Sequence, residues 1–106
     1  MRTMPMILAL LLAASAAQAQ TYRQELNALT RGLPLPVRDF IDRRANCNHW
    51  MGEEGYDPAR RAQINDAYDR LRCAALGADE AALKRRYVGN LLVLRALDRS
   101  RGWLAG

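Results

Sequence analysis

Histidine occurs once in this 106-residue chain, lysine once and cysteine twice, and each scarcity closes off a class of chemistry. The single imidazole, His49, leaves no second histidine for a metal site of the common histidine-rich kind. No Cys-x-x-Cys is present, and nothing around Cys47 or Cys73 has a thioredoxin-like strand pattern, which argues against a redox pair. No serine stands in a recognisable nucleophile motif. No stretch alternates apolar and polar residues for long enough to make a strand, so a sheet is not expected. Internal repeats and low-complexity tracts are absent as well. The charge-free apolar run from Met6 to Ala14 is far short of the roughly 20 residues that a membrane-spanning helix needs.

That short run has the surroundings of an export signal. Arg2 supplies a positive start, and Ala17-Gln18-Ala19 places small residues at −3 and −1 of a cut before Gln20. The chain therefore divides into a secretory signal peptide, 1–19, and a single small helical domain, 20–106. The expected address is periplasmic or secreted, with cleavage after Ala19 and no stable membrane span afterwards. No cysteine follows the cut, so a lipid anchor has no attachment point there. The remaining 87 residues carry fifteen basic and eleven acidic side chains, a net charge of +4. Such a balance favours anionic partners: lipid headgroups, envelope polymers or acidic proteins. Export, and the interleaving of arginines with acids, argue against nucleic acid.

In an oxidising compartment the two cysteines are expected to pair. A Cys47–Cys73 bridge would stabilise so small a domain by about 3.5 kcal/mol in the loop-entropy description. Helical spacing supplies the rest of the fold. Residues 21–31 read as a first helix with Tyr22, Leu26 and Leu29 on one side and Gly32 ending it. Leu33-Pro34-Leu35-Pro36 is an extended connector, because proline pushes its predecessor out of the α region. A second helix over 36–50 sets Val37, Phe40, Ile41, Arg44 and Cys47 on one buried face, with an exposed Asp39–Arg43 pair. Asp57-Pro58 is a helix start, a carboxylate cap followed by proline at the first position.

That third helix is expected to run to Leu76, with Gly77 just past its end. Ile64, Ala67, Tyr68, Leu71 and Ala75 would form one stripe, and Ala62, Cys73 and Leu76 a second on the opposite side. Asp79 would cap a fourth helix, with Glu80 in its first turn and Leu83, Tyr87 and Val88 facing inward. Asn90 would cap a last helix with Leu91, Leu94 and Leu97 inward, before a frayed end at Gly102-Trp103. The expected class is all-α: a compact bundle of four to five short helices with one disulfide.

The distinctive stretch is 47–57, which holds the histidine, one of the two tryptophans and three acids. His49, Trp50, Glu53, Glu54, Tyr56, Asp57, Arg60 and Arg61 form a candidate recognition loop, since binding residues are often mounted on loops over a rigid support. The bland alternative is that Glu53 and Glu54 compensate Arg60 and Arg61 while Trp50 and Tyr56 pack over the disulfide. A metal on His49 and Glu53 is weakened by Gly52, which interrupts their spacing, so neither a metal nor another cofactor is expected. Adjacent glutamates diverge rather than flank one bond, so no catalytic residue is assigned. Lys84-Arg85-Arg86 reads as a solvated helix face, widened by Arg95, Arg99 and Arg101 into a basic patch suited to an anionic surface.

The segment Arg43-Arg44-Ala45-x-Cys47-x-His49-Trp50-x-Gly52-Glu53-Glu54-x-Tyr56-Asp57, followed by Arg70-Leu71-Arg72-Cys73 and Lys84-Arg85-Arg86-Tyr87, resembles a group of small exported bacterial proteins. The resemblance implies export and carries no activity. The leading expectation is a non-enzymatic protein that binds an envelope protein or an anionic envelope component. An inhibitor or immunity-type protein is the alternative. A metal-binding or hydrolytic role through His49 and Glu53 stands as a third reading.

Overall fold

The computed structural model describes residues 16–17 and 20–105. The expected signal segment and its cut after Ala19 lie outside the described residues, apart from Ala16 and Ala17. Five helices follow one another: α1 over 20–29, α2 Leu35–Met51, α3 Pro58–Arg70, α4 Leu76–Arg86 and α5 Leu91–Arg99. A single 3-10 turn, Cys73–Ala75, joins α3 to α4. The chain is an all-α bundle of five short helices with one disulfide, Cys47–Cys73.

The second helix organises everything else. Val37, Phe40, Ile41, Arg44 and Cys47 are all buried, as their spacing requires of one helix face. Leu26 of α1 and Val93, Ala96 and Leu97 of α5 close over that stripe to form the core, and Tyr22, Leu29, Leu83 and Trp103 pack at its margin. Gly32 ends the turn after α1 with φ +75°, a backbone conformation that costs glycine little. Asn90 caps α5 by accepting a hydrogen bond from the Val93 amide at 3.2 Å.

Four expectations are corrected. The third helix stops at Arg70, six residues early, and Gly77 lies inside α4. Arg72 takes the left-handed conformation, φ 53°, that usually falls to glycine after a helix. Continued as a helix, Cys73 would point about 120° away from Ala67, the one buried residue of α3. Breaking the helix turns Cys73 back toward α2, so Cα–Cα to Cys47 is 5.7 Å. The second apolar stripe therefore does not exist: Ala62 is exposed and α3 lies on the outside of the bundle.

Secondly, Asp79 caps nothing, because α4 begins at Leu76 behind Ala75. Asp79 reaches Arg43 at 2.5 Å, and the expected Asp39–Arg43 pair is replaced by this longer-range one. Thirdly, Val88 and Leu91 face solvent, and the buried side of α5 is Val93, Ala96 and Leu97. Finally, the chain end is docked rather than frayed. Trp103 stacks on Tyr22 with ring centroids 5.1 Å apart, and the Ala105 amide donates to the Ala45 carbonyl at 3.1 Å. Asn48 donates to the carbonyls of Arg101 and Trp103, both at 2.9 Å.

One ion cluster lies within this frame. The Arg44 guanidinium, its side chain 6% exposed, donates to the Leu97 carbonyl at 2.9 Å and the Ser100 hydroxyl at 3.2 Å. It also pairs with Glu80 and sits 4.5 Å from the Phe40 ring centroid. Glu80 takes two further cations, Lys84 and Arg101, each at 3.2 Å. Burial pushes the Glu80 carboxyl up, but the Lys84 hydrogen bond and the Arg44, Lys84 and Arg101 charges outweigh it and hold it below the usual carboxylate range. Adjacent acids thus clamp adjacent arginines, 43 to 79 and 44 to 80, and fix α4 against α2.

Candidate functional site

The distinctive loop is built from the end of α2. That helix runs one residue past Trp50, so Gly52 does not spoil the spacing of His49 and Glu53. Their Nε2 and Oε1 atoms lie 3.3 Å apart. Glu53 uses its other oxygen on Arg60, at 3.0 Å, and Arg60 lies 5.3 Å from the Trp50 ring centroid. His49 meets Trp50 edge-on at 5.5 Å. Four of the expected loop residues, His49, Trp50, Glu53 and Arg60, are therefore in contact with one another.

The remaining four are spent or scattered. Asp57 caps α3 by accepting from the Arg60 amide at 2.7 Å. Arg61 donates to the Gly55 carbonyl at 3.1 Å, and its side chain occupies the space a Cβ at position 55 would need. Glu54 is exposed, and Tyr56 is 74% exposed rather than packed over the disulfide. The compensation of Arg60 by Glu53 is present; that of Arg61 by Glu54 is not. Among the described residues, no group of three or more histidine, cysteine or acidic side chains is placed to share a metal. Asp57→Ala should cost about 1 kcal/mol of stability, the usual loss for an N-cap, in a urea titration followed by tryptophan fluorescence.

Beside this cluster, a cleft of about 670 Å³ opens where α1, α2 and the chain end meet. Its lining sets Arg23 and Arg38 beside Asp42, which is engaged by its neighbours. The Tyr22 hydroxyl donates to Asp42 at 2.5 Å, and the Asn46 amide donates to the Asp42 carbonyl at 2.8 Å. Burial first, then the Asp42 contact, pushes the Tyr22 phenol well above its ordinary value, so it stays neutral. A second groove, about 460 Å³, sets Arg43, Arg72 and Arg86 against Asp39 and Asp79, a lining of mixed sign.

A third groove differs from both. It is about 220 Å³, lies between α1 and α5, and is lined by Leu29, Leu33 and Leu92 with Arg31, Arg95 and Arg99, and by no carboxylate. Among the described residues none of these arginines makes an ion pair. Arg95 and Arg99 belong to the expected basic patch; Arg101 does not, since it turns to Glu80 and Asp98 at 3.2 and 3.6 Å. Arg31 was not legible as a member, because only the α1–α5 crossing brings it there. The chain matches no family model, no curated protein and no solved structure.

Proposed function

We propose that this is an exported helical protein that acts by binding an anionic envelope component through the α1–α5 groove, without catalysing a reaction. The observation that carries the reading is the groove lining: three arginines, three leucines and no acid. Guanidinium groups left without carboxylate partners are suited to planar or tetrahedral anions, which they can engage through paired donors. The distinctive loop supports the same conclusion by contrast, since His49, Glu53 and Arg60 are already occupied with one another. Export is supported by the order of residues 1–19 and by the disulfide, which is usual in oxidising compartments.

The test is binding of the purified, oxidised protein to isolated envelope material at two salt concentrations. Retention that falls with salt, and falls at least tenfold in Arg95→Glu/Arg99→Glu, is the expected result. Retention lost on Tyr56→Ala but kept in the arginine variant would move the contact to the 47–57 loop and overturn the groove. No retention at all would overturn the binding role.

A further inference from the structure

We infer that the anionic component is a lipid bilayer surface, and that the protein docks on it with the α4–α5 turn and the outward side of α5. This rests on the reading of the arginine groove just given and adds an independent observation, an apolar tip beside it. Val88, Leu91 and Leu92 are 82%, 61% and 67% exposed, and they follow one another across the turn into α5. Four consecutive apolar residues, 91–94, cannot all face one side of a helix. The helix spends Val93 on the core and leaves Leu91 and Leu92 outside.

Charge surrounds this tip on two sides. Arg85 and Arg86 end α4 before it, and Arg95 and Arg99 follow it one and two turns along α5, with Arg31 across the groove. All five are exposed, and among the described residues none makes an ion pair. Helical side chains lean toward the N-terminus, so Arg95 lies over the turn that carries Leu91 and Leu92. A long arginine there can hold its stem along the apolar tip and its head at phosphate level. Asp98, the acid on this helix, lies two turns beyond Leu91 on the same outward side, and its charge is countered there by Lys84 at 4.0 Å and Arg101 at 3.6 Å. An apolar point with a cationic rim matches an interface whose interior is hydrocarbon and whose surface is anionic. No helix among the described residues is long and apolar enough to cross a membrane, so the contact is made on the surface.

The experiment is co-sedimentation of the full-length secreted protein with large vesicles, either of phosphatidylcholine alone or with one-third phosphatidylglycerol. Binding to the anionic vesicles at least tenfold tighter than to neutral ones, weakened by salt, is expected. Both Leu91→Ser/Leu92→Ser and Arg95→Glu/Arg99→Glu should reduce it at least tenfold with unchanged far-ultraviolet circular dichroism. Arginine dependence without leucine dependence would overturn lipid docking and point to a soluble polyanion. No vesicle binding, with salt-sensitive retention on envelope material intact, would overturn the lipid inference while leaving the groove reading in place. A dimer in sedimentation equilibrium that Leu91→Ser/Leu92→Ser dissociates would show the tip to be a self-association surface and overturn the inference.

Discussion

Arg44→Ala should cost about 3–5 kcal/mol, the range for breaking a buried ion pair by removing one partner. That is a large part of the 5–15 kcal/mol that holds a typical domain together, and for a chain this small the variant should be mostly unfolded at body temperature. The loss is not simply that of one attractive contact. Without the guanidinium, Glu80 keeps its negative charge near the core and the Leu97 carbonyl loses its charged donor, while the Ser100 hydroxyl still donates to that carbonyl at 2.9 Å. Removing both charges, as Arg44→Met with Glu80→Leu, should therefore recover much of the deficit. Lys84 and Arg101 would lose a partner in that double variant, but exposed pairs are worth little. Urea unfolding of the single and double variants measures the difference. A single variant within 1 kcal/mol of the parent would show that the clamp is not what orients α4.

The same cluster sets an acid limit. The Glu80 carboxyl is held below its ordinary range in the folded chain, so the unfolded chain binds the proton more readily. Its contribution is complete above the unfolded carboxylate range and is lost as pH falls through the lower folded value. Stability should therefore decline below about pH 4, and Glu80→Gln should flatten that decline while lowering stability near neutrality.

How far the residues alone revealed this architecture depends on the distance over which each feature is decided. The α2 stripe was legible because a fifteen-residue run of helical spacing names its own buried face, and Arg44 was already on it. Its partner was not, since Glu80 lies thirty-six positions away and local spacing offered it only Lys84 and the helix dipole. The end of α3 was illegible for a different reason. Residues 70–76 contain neither proline nor glycine, and the break is imposed by the bridge to Cys47 through an arginine in a conformation arginine rarely takes. In the candidate site the 47–57 loop was conspicuous by composition, and local pairing engaged His49 and Glu53 while leaving Glu54 and Tyr56 exposed. The groove was hidden, because Arg31 and Arg95 are brought together by a helix crossing. The surplus of apolar residues at 91–94 was its one local signal.

Opening the Cys47–Cys73 bridge should lower stability by up to about 3.5 kcal/mol, and the loss should begin in α3. That helix buries only Ala67. Beyond the bridge at its far end, it rests on α2 through half-buried Ile64 and Tyr68 and through Arg60, which meets Glu53 at 3.0 Å and faces Trp50. Apolar burial is too small to keep such a polar helix in place once its C-terminal end is free. Reduction should add two hydrogens to the mass and speed amide exchange across Pro58–Arg70 well before it affects 37–45 or 93–97, where the core lies. Cys47→Ser/Cys73→Ser should reproduce the pattern. Uniform acceleration over all helices would show that the bridge stabilises the bundle as a whole rather than tethering one helix to it. Free thiols in the protein purified without reductant would count against the bridge.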